Sequence, residues 1–313
     1  MAGVGTTLSA LARAAILRAA DSRRLRRVVA RYGMRLGAAR FVAGETLDEC
    51  VVVLRRLNAA GLHANTTLLG EEIPNAEGAA AAVDAYETIL DRLAAEKLRA
   101  NVALKLTHLG LSFDEETAYA NLAHLAAHAE RLEMLIRIDM EQSTFVDPTL
   151  RIYERLRAGG HENVGVVLQA YLYRSPDDLE RLLPLEPNVR IVKGAYLESP
   201  AIAYPEKKDV DAAYVRLVER GMRGGAYIAV ATHDERIISH VRAFTEREGV
   251  GRDRFELQML YGVRPGLQRS LASAGYKVLV ATPFGPDWYP YLLRRLAERP
   301  ANLLFFLRNL LRR

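Results

Sequence analysis

Eight short apolar runs, each followed by a stretch with helical periodicity, constrain this chain more than any other feature. The runs are residues 64–69, 101–107, 135–140, 164–170, 189–194, 227–232, 255–260 and 277–282. Apolar side chains at helical spacing fill the intervals, for example over 79–98 and 114–131. Strand-length runs alternating with helices predict a parallel sheet, and eight is the number that closes a (βα)8 barrel. An open doubly wound sheet is the competing architecture. No G-x-G-x-x-G follows any run, which weakens a dinucleotide-binding version of it. The expectation is an α/β chain with a helical arm over residues 1–40 and a (βα)8 TIM-like barrel over 41–313.

Composition narrows the function classes. Half of the 313 residues are apolar, enough for one large core. No apolar run is long enough to span a bilayer, and the N-terminus lacks the pattern of a cleaved signal peptide. A single cysteine, Cys50, excludes an internal disulfide and a cysteine metal cluster, which fits a reducing cytoplasm. The net charge of +5 is mild, with basic residues grouped at Arg23, Arg24, Arg26, Arg27, Arg31 and Arg35. They form a solvated helix face or touch anionic lipid or a neighbouring subunit. Too few aromatics accompany them for a nucleic-acid stacking surface.

Barrel strands are covered on both faces, so charged residues within them need a reason. In 101–107, Val102, Leu104 and Leu106 alternate with Ala103, Lys105 and Thr107, which places Lys105 toward the barrel interior. Arg137 and Asp139 alternate with Ile136 and Ile138 in the same way. Gln169 closes the fourth run, and Arg190 and Lys193 flank Val192. Most of these groups fall in the C-terminal halves of their strands, where barrel active sites are built. A plainer alternative is a Lys105–Asp139 pair that only braces the barrel. Convergence of several such groups on one rim favours a site. Thr232-His233-Asp234 stands where the helix after the sixth run begins. Lys193-Gly194-Ala195-Tyr196 sets a small-residue turn beside a lysine, allowing close approach of a ligand to backbone. Glu71 follows Gly70 at the end of the first run.

The stretch 276–298 carries the remaining candidates. A Pro/Gly turn leads into a helix starting near Asp287, on which Tyr291, Arg294, Arg295 and Glu298 share one face. Two guanidinium forks on one face suit a small carboxylate.

Together the segments NTTLLGE, VALKL, IRIDME, VLQAY, VRIVKGAYLE, ATHD, FELQMLYG and GPDWYPYLLRRLAERPAN resemble the proline dehydrogenase family, in the family's order, over about residues 41–308. The length is similar to that of the monofunctional bacterial members. The resemblance implies a distorted barrel with the last helix over its mouth and a bound FAD, with FMN as the alternative. Implied flavin contacts are Met140, Gln169, Arg190, Lys193, Gly194, Ala195, Thr232 and His233, with Glu298 at the cofactor ribose. Arg190 matches an arginine near flavin N5. Arg294 and Arg295 match the pair that grips the proline carboxylate, and Glu71 the acid that pairs with the first of them. Lys105 and Asp139 match a pair under the substrate pocket; Tyr196 and Tyr291 match ring-contacting tyrosines. No metal is implied. The implied acceptor is membrane quinone, reached from the cytoplasm by peripheral contact with the inner face of the membrane.

One position departs from the family. Ala281 stands where a tyrosine usually packs over the substrate ring. Lost ring contact amounts to about 1–3 kcal/mol of transition-state binding. The expectation is weaker use of L-proline and easier acceptance of 4-hydroxyproline or another cyclic imino acid. Two further alternatives are a Schiff-base barrel aldolase using Lys193 or Lys105 as nucleophile, and a descendant that binds without turnover.

Overall fold

The computed structural model describes residues 38–70 and 73–292. The N-terminal arm, apart from a 3-10 turn at Ala38–Arg40, and the residues beyond 292, to which the sequence assigns the last helix, lie outside them. Among the described residues, eight strands form a closed barrel in chain order. They are β1 (His63–Leu68), β2 (Ala100–Lys105), β3 (Ile136–Asp139), β4 (Val164–Gln169), β5 (Asn188–Val192), β6 (Tyr227–Ala231), β7 (Phe255–Leu260) and β8 (Val278–Phe284). Helix α1 (Leu47–Ala59) precedes β1. The helices between strands are α2 (Ala76–Ala95), α3 (Glu115–Arg131), α4 (Val146–Ala158), α5 (Ser175–Leu182), α6 (Lys207–Arg223), α7 (Glu235–Glu248) and α8 (Pro265–Ser273).

Local chemistry starts several of these helices. Asn75, Asp114 and Asp234 cap α2, α3 and α7, each side chain accepting from a backbone N–H of the first turn. Ion pairs then link successive helices around the barrel. Arg151 meets Glu115 at 2.6 Å and Arg155 meets Glu116 at 2.5 Å, joining α4 to α3. Arg181–Glu154, Arg220–Glu180 and Arg223–Glu248 continue the series to α7.

All eight predicted runs are strands, but their ends differ. The run 101–107 stops at Lys105, and Leu106–Leu109 turn into a 3-10 helix. Thr107 is therefore not an interior strand residue. Its N–H and hydroxyl donate to the buried Glu141 carboxylate, at 3.1 and 2.6 Å. The run 189–194 stops at Val192, because Gly194 takes a φ of +112° that ends the extended backbone. Met140, Lys193 and Gly194 are thus loop residues at strand ends.

Long-range hydrogen bonds identify the interior. Arg137 on β3 reaches Asn188 on β5, which is not its neighbour in the sheet. Such contacts cross the barrel, so Arg137, Asn188 and the residues two positions on face inward. Ile136, Ile138, Val189 and Ile191 alternate with them and are fully buried on the helix-facing side.

Two compact units divide the chain. Leu54–Thr67 with Glu71–Ala281 form one, which holds the polar interior. Met1–Val53, Leu68–Gly70 and Thr282–Arg313 form the other. Within the second, Ala43 N–H donates to Pro283 O at 2.7 Å, and Leu69 N–H to Phe284 O at 2.8 Å. Trp288 opens the helical residues 288–292; it is buried and donates from Nε1 to Glu45 at 2.6 Å.

Candidate active site

Barrel interiors are filled in layers by side chains from alternate strands, and branched apolar residues usually do the filling. Here β3, β5 and β7 supply polar groups at period 2. The lower layer is Arg137, Asn188 and Glu256. Arg137 donates to Asn188 Oδ1 at 2.7 Å and lies 3.9 Å from Glu256 Oε1. Both ionic side chains are 1% exposed. Space for the guanidinium comes from Gly165, where an added Cβ would stand 2.8 Å from Arg137 Nη1. Tyr227 and Lys277, near the N-terminal ends of the strands, donate to Glu256 Oε2 at 2.9 and 3.0 Å. Burial alone would raise the Glu256 carboxyl. Lys277, Arg137 and the hydrogen bonds from Gln258 and Lys277 outweigh it and hold this group below its ordinary value.

Two residues further along each strand lies the upper layer, Asp139, Arg190 and Gln258. Arg190 Nη2 forms an ion pair with Asp139, and Nη1 donates to Gln258 Oε1 at 3.3 Å. Gln258 Nε2 in turn donates to Glu256 Oε1 at 2.7 Å, joining the layers. Burial and the Arg137 guanidinium push Arg190 down to about 9, with Glu256 acting the other way. The Asp139 carboxylate reinforces the charge, so Arg190 is a cation at neutral pH. Lys105 is the register neighbour of Asp139, and both are half-buried. The structure therefore brings Lys105, Asp139 and Arg190 to adjacent positions.

The rim holds the remaining described candidates. Gln169, at the end of β4, is buried and donates to Glu141 O at 2.9 Å. Met140 is buried at the end of β3. Lys193 is ion-paired to Asp211, with Asp234 Oδ2 at 3.8 Å. A lysine nucleophile would first have to leave these carboxylates, which argues against the Schiff-base alternative at Lys193. An added Cβ on Gly194 would stand 2.1 Å from the Tyr171 ring, so the tyrosine fills that space. Ala195 is exposed and Tyr196 half-buried. Thr232 is buried and its hydroxyl accepts from Asp234 N–H at 3.1 Å. Leu260 N–H donates to His233 Nε2 at 2.8 Å. That nitrogen therefore carries a lone pair, and the neutral ring holds its proton on Nδ1. Ala281, half-buried on β8, accepts at its carbonyl from Tyr261 N–H at 3.0 Å.

Tyr291 is half-buried in the other compact unit. Glu71, Arg294, Arg295 and Glu298 lie outside the described residues.

Sequence reasoning missed Glu256 and Gln258, and placed Arg137 inside the barrel without a role. The signal was present, since Glu256 and Gln258 alternate with Phe255, Leu257 and Met259 just as Arg137 and Asp139 alternate with isoleucines. Asp211 was not legible, because it sits on α6, 18 positions beyond the lysine it holds.

A planar group with hydrogen-bonding edges and an anionic tail fits this rim. Arg190 Nε is buried and has no hydrogen-bond partner. Lys193 places a cation, held by Asp211, on the same rim. These features suit a flavin nucleotide.

Comparison with known proteins agrees. A family model described as proline dehydrogenase matches residues 50–308. Proline dehydrogenase 1 of Bacillus subtilis (strain 168) is 40% identical over 282 residues, covering 90% of this chain and 93% of that one. The proline dehydrogenase of Deinococcus radiodurans is 42% identical over 279 residues, covering 88% and 90%. Among solved structures, proline utilization A (PutA) from Bdellovibrio bacteriovorus, inactivated by N-propargylglycine, matches with a TM-score of 0.78 at 24% identity. That match covers 85% of this chain and 32% of the longer protein, and it shows the likeness of fold.

Proposed function

The chain belongs to the proline dehydrogenase family, and from that premise we propose that it oxidises L-proline to Δ1-pyrroline-5-carboxylate using FAD, with quinone as final acceptor. The observation that carries this reading is the Asp139–Arg190–Gln258 layer, which runs from the middle to the C-terminal ends of three alternate strands. When bound, the flavin accepts the hydride that leaves C5 of the substrate.

The chain's own residues prepare that transfer. On the family's pattern we assign Arg294 and Arg295 to the substrate carboxylate, which their guanidinium forks suit. Tyr196 and Tyr291 contact the ring. Lys105 and Asp139 orient the substrate and shape the field around its nitrogen, which reacts as the neutral amine. The nitrogen lone pair forms the C=N bond as the C5–H bond breaks, and the N–H proton is released. Arg190 places a fixed positive charge beside the group that gains electrons, while Asp139 and Gln258 hold its direction, so little reorganisation accompanies the reaction. Gln169, Met140, Lys193, Gly194, Ala195, Thr232, His233 and Glu298 hold the cofactor. Among the described residues no helix is long and apolar enough to cross a membrane. We place the enzyme in the cytoplasm, in peripheral contact with the membrane that holds the quinone.

The test is the visible spectrum of the purified protein, the identity of the cofactor released by heat, and turnover of L-proline with a soluble quinone. A yellow protein that releases FAD and reduces the quinone supports the reading. A colourless protein that flavin cannot reconstitute and that leaves proline unchanged contradicts it.

Ala281 favours a second substrate reading, a preference for 4-hydroxyproline or a bulkier cyclic imino acid. Restoring the aromatic ring by Ala281→Tyr is expected to raise kcat/KM for L-proline by about 10- to 100-fold, the equivalent of roughly 1–3 kcal/mol. It is expected to lower that for trans-4-hydroxy-L-proline. Equal kcat/KM for L-proline in the two proteins would refute this preference.

A further inference from the structure

Below Arg190 a chain of buried side chains continues from the upper layer into the lower one. Lys277 and Tyr227 donate to Glu256, Gln258 donates to Glu256, and Arg190 donates to Gln258. Every link has a fixed sense. Glu256 sits among cations and donors as an acceptor-only carboxylate, so the Gln258 –NH2 must point down to it. The Gln258 carbonyl is then obliged to point up, at the Arg190 guanidinium. Reversing the amide would set two donors against each other at Arg190 and two acceptors against each other at Glu256. Arg190 is thereby held between two acceptors, Asp139 on one side and Gln258 on the other.

We propose that Gln258 and Glu256 are positioning residues for Arg190. Their buried chain fixes which way its guanidinium points and so sets the positive charge felt by the flavin. This inference rests on the proposed flavin site, with Arg190 at the cofactor. A positive charge fixed beside the ring favours its reduced, anionic form. A guanidinium freed from Gln258 is expected to stabilise that form less and to make the potential more negative.

The experiment measures the midpoint potential of the flavin in the intact holoenzyme by equilibration with a reference dye. Gln258→Met keeps the length of the side chain and removes both hydrogen bonds. It is expected to raise the ratio of oxidised to reduced flavin at a given potential at least tenfold, about 30 mV for a two-electron couple. Glu256→Gln keeps the shape of the side chain, frees the Gln258 amide to turn, and is expected to shift the potential in the same direction. It carries the test should Gln258→Met fail to fold. In an Arg190→Met background, Gln258→Met is expected to add nothing further, since its effect passes through the arginine.

A lowered Tm with an unchanged potential in both variants would assign the chain a purely structural role and overturn the inference. So would an equal shift in the Arg190→Met background. If wild-type protein holds flavin that L-proline reduces, either result refutes this inference alone. A wild type that holds no flavin would refute the proposed function and the inference together.

Discussion

Arg190 and Asp139 were legible as residues because each places charge in an otherwise apolar strand. Neither could be paired with the other from sequence, since β3 and β5 are not neighbours and their meeting depends on barrel closure. Their pairing gives a sharp expectation. Asp139→Asn keeps the shape of the side chain and removes the carboxylate that holds Arg190 Nη2. We expect kcat/KM for L-proline to fall about 10²-fold, the usual scale for one preorganised electrostatic group. Steady-state kinetics with flavin occupancy measured in parallel checks it; a change under threefold would show that Asp139 does not orient the site. Ala281 was legible in another way, as a departure from a pattern.

At the scale of elements, hydrophobic periodicity located all eight strands but not all of their ends. Thr107 reads as strand by alternation, yet the Glu141 carboxylate pulls its backbone into a 3-10 turn. Such a partner, 34 positions away, cannot be read from local pattern. The polar layers of β3, β5 and β7 were half visible, with Arg137 and Asp139 noticed and Glu256 and Gln258 passed over. Their cost is measurable. Glu256 is buried with a depressed carboxyl, so its contribution to stability is present above its unfolded value, near 4.3, and is lost as pH falls through the lower folded value. Breaking one partner of a buried ion pair costs about 3–5 kcal/mol. Glu256→Gln should therefore destabilise the protein by about that much at neutral pH. The gap from wild type should narrow as pH falls below about 4. Urea unfolding at several pH values checks both statements, and a gap independent of pH would show that the carboxylate charge is not involved.

Across the whole molecule, the order of eight strands and the family's segments were readable from the chain, and the closed barrel and family match agree with them. What lay beyond sequence was the set of ion pairs that links α3 through α7, because those contacts join residues 25 to 40 positions apart. Exposed pairs of this kind are screened by salt. Raising the salt from about 0.05 to about 1 M is expected to lower Tm by a few degrees if the ring contributes to stability; an unchanged or higher Tm would show that it does not. The central claim is that Arg190 and its layer serve flavin-dependent oxidation of proline, and anaerobic titration of the purified protein tests it most directly. The account predicts a yellow protein whose flavin absorbance bleaches on addition of L-proline, with Δ1-pyrroline-5-carboxylate formed in equal amount. A flavin that neither L-proline nor trans-4-hydroxy-L-proline bleaches would contradict it.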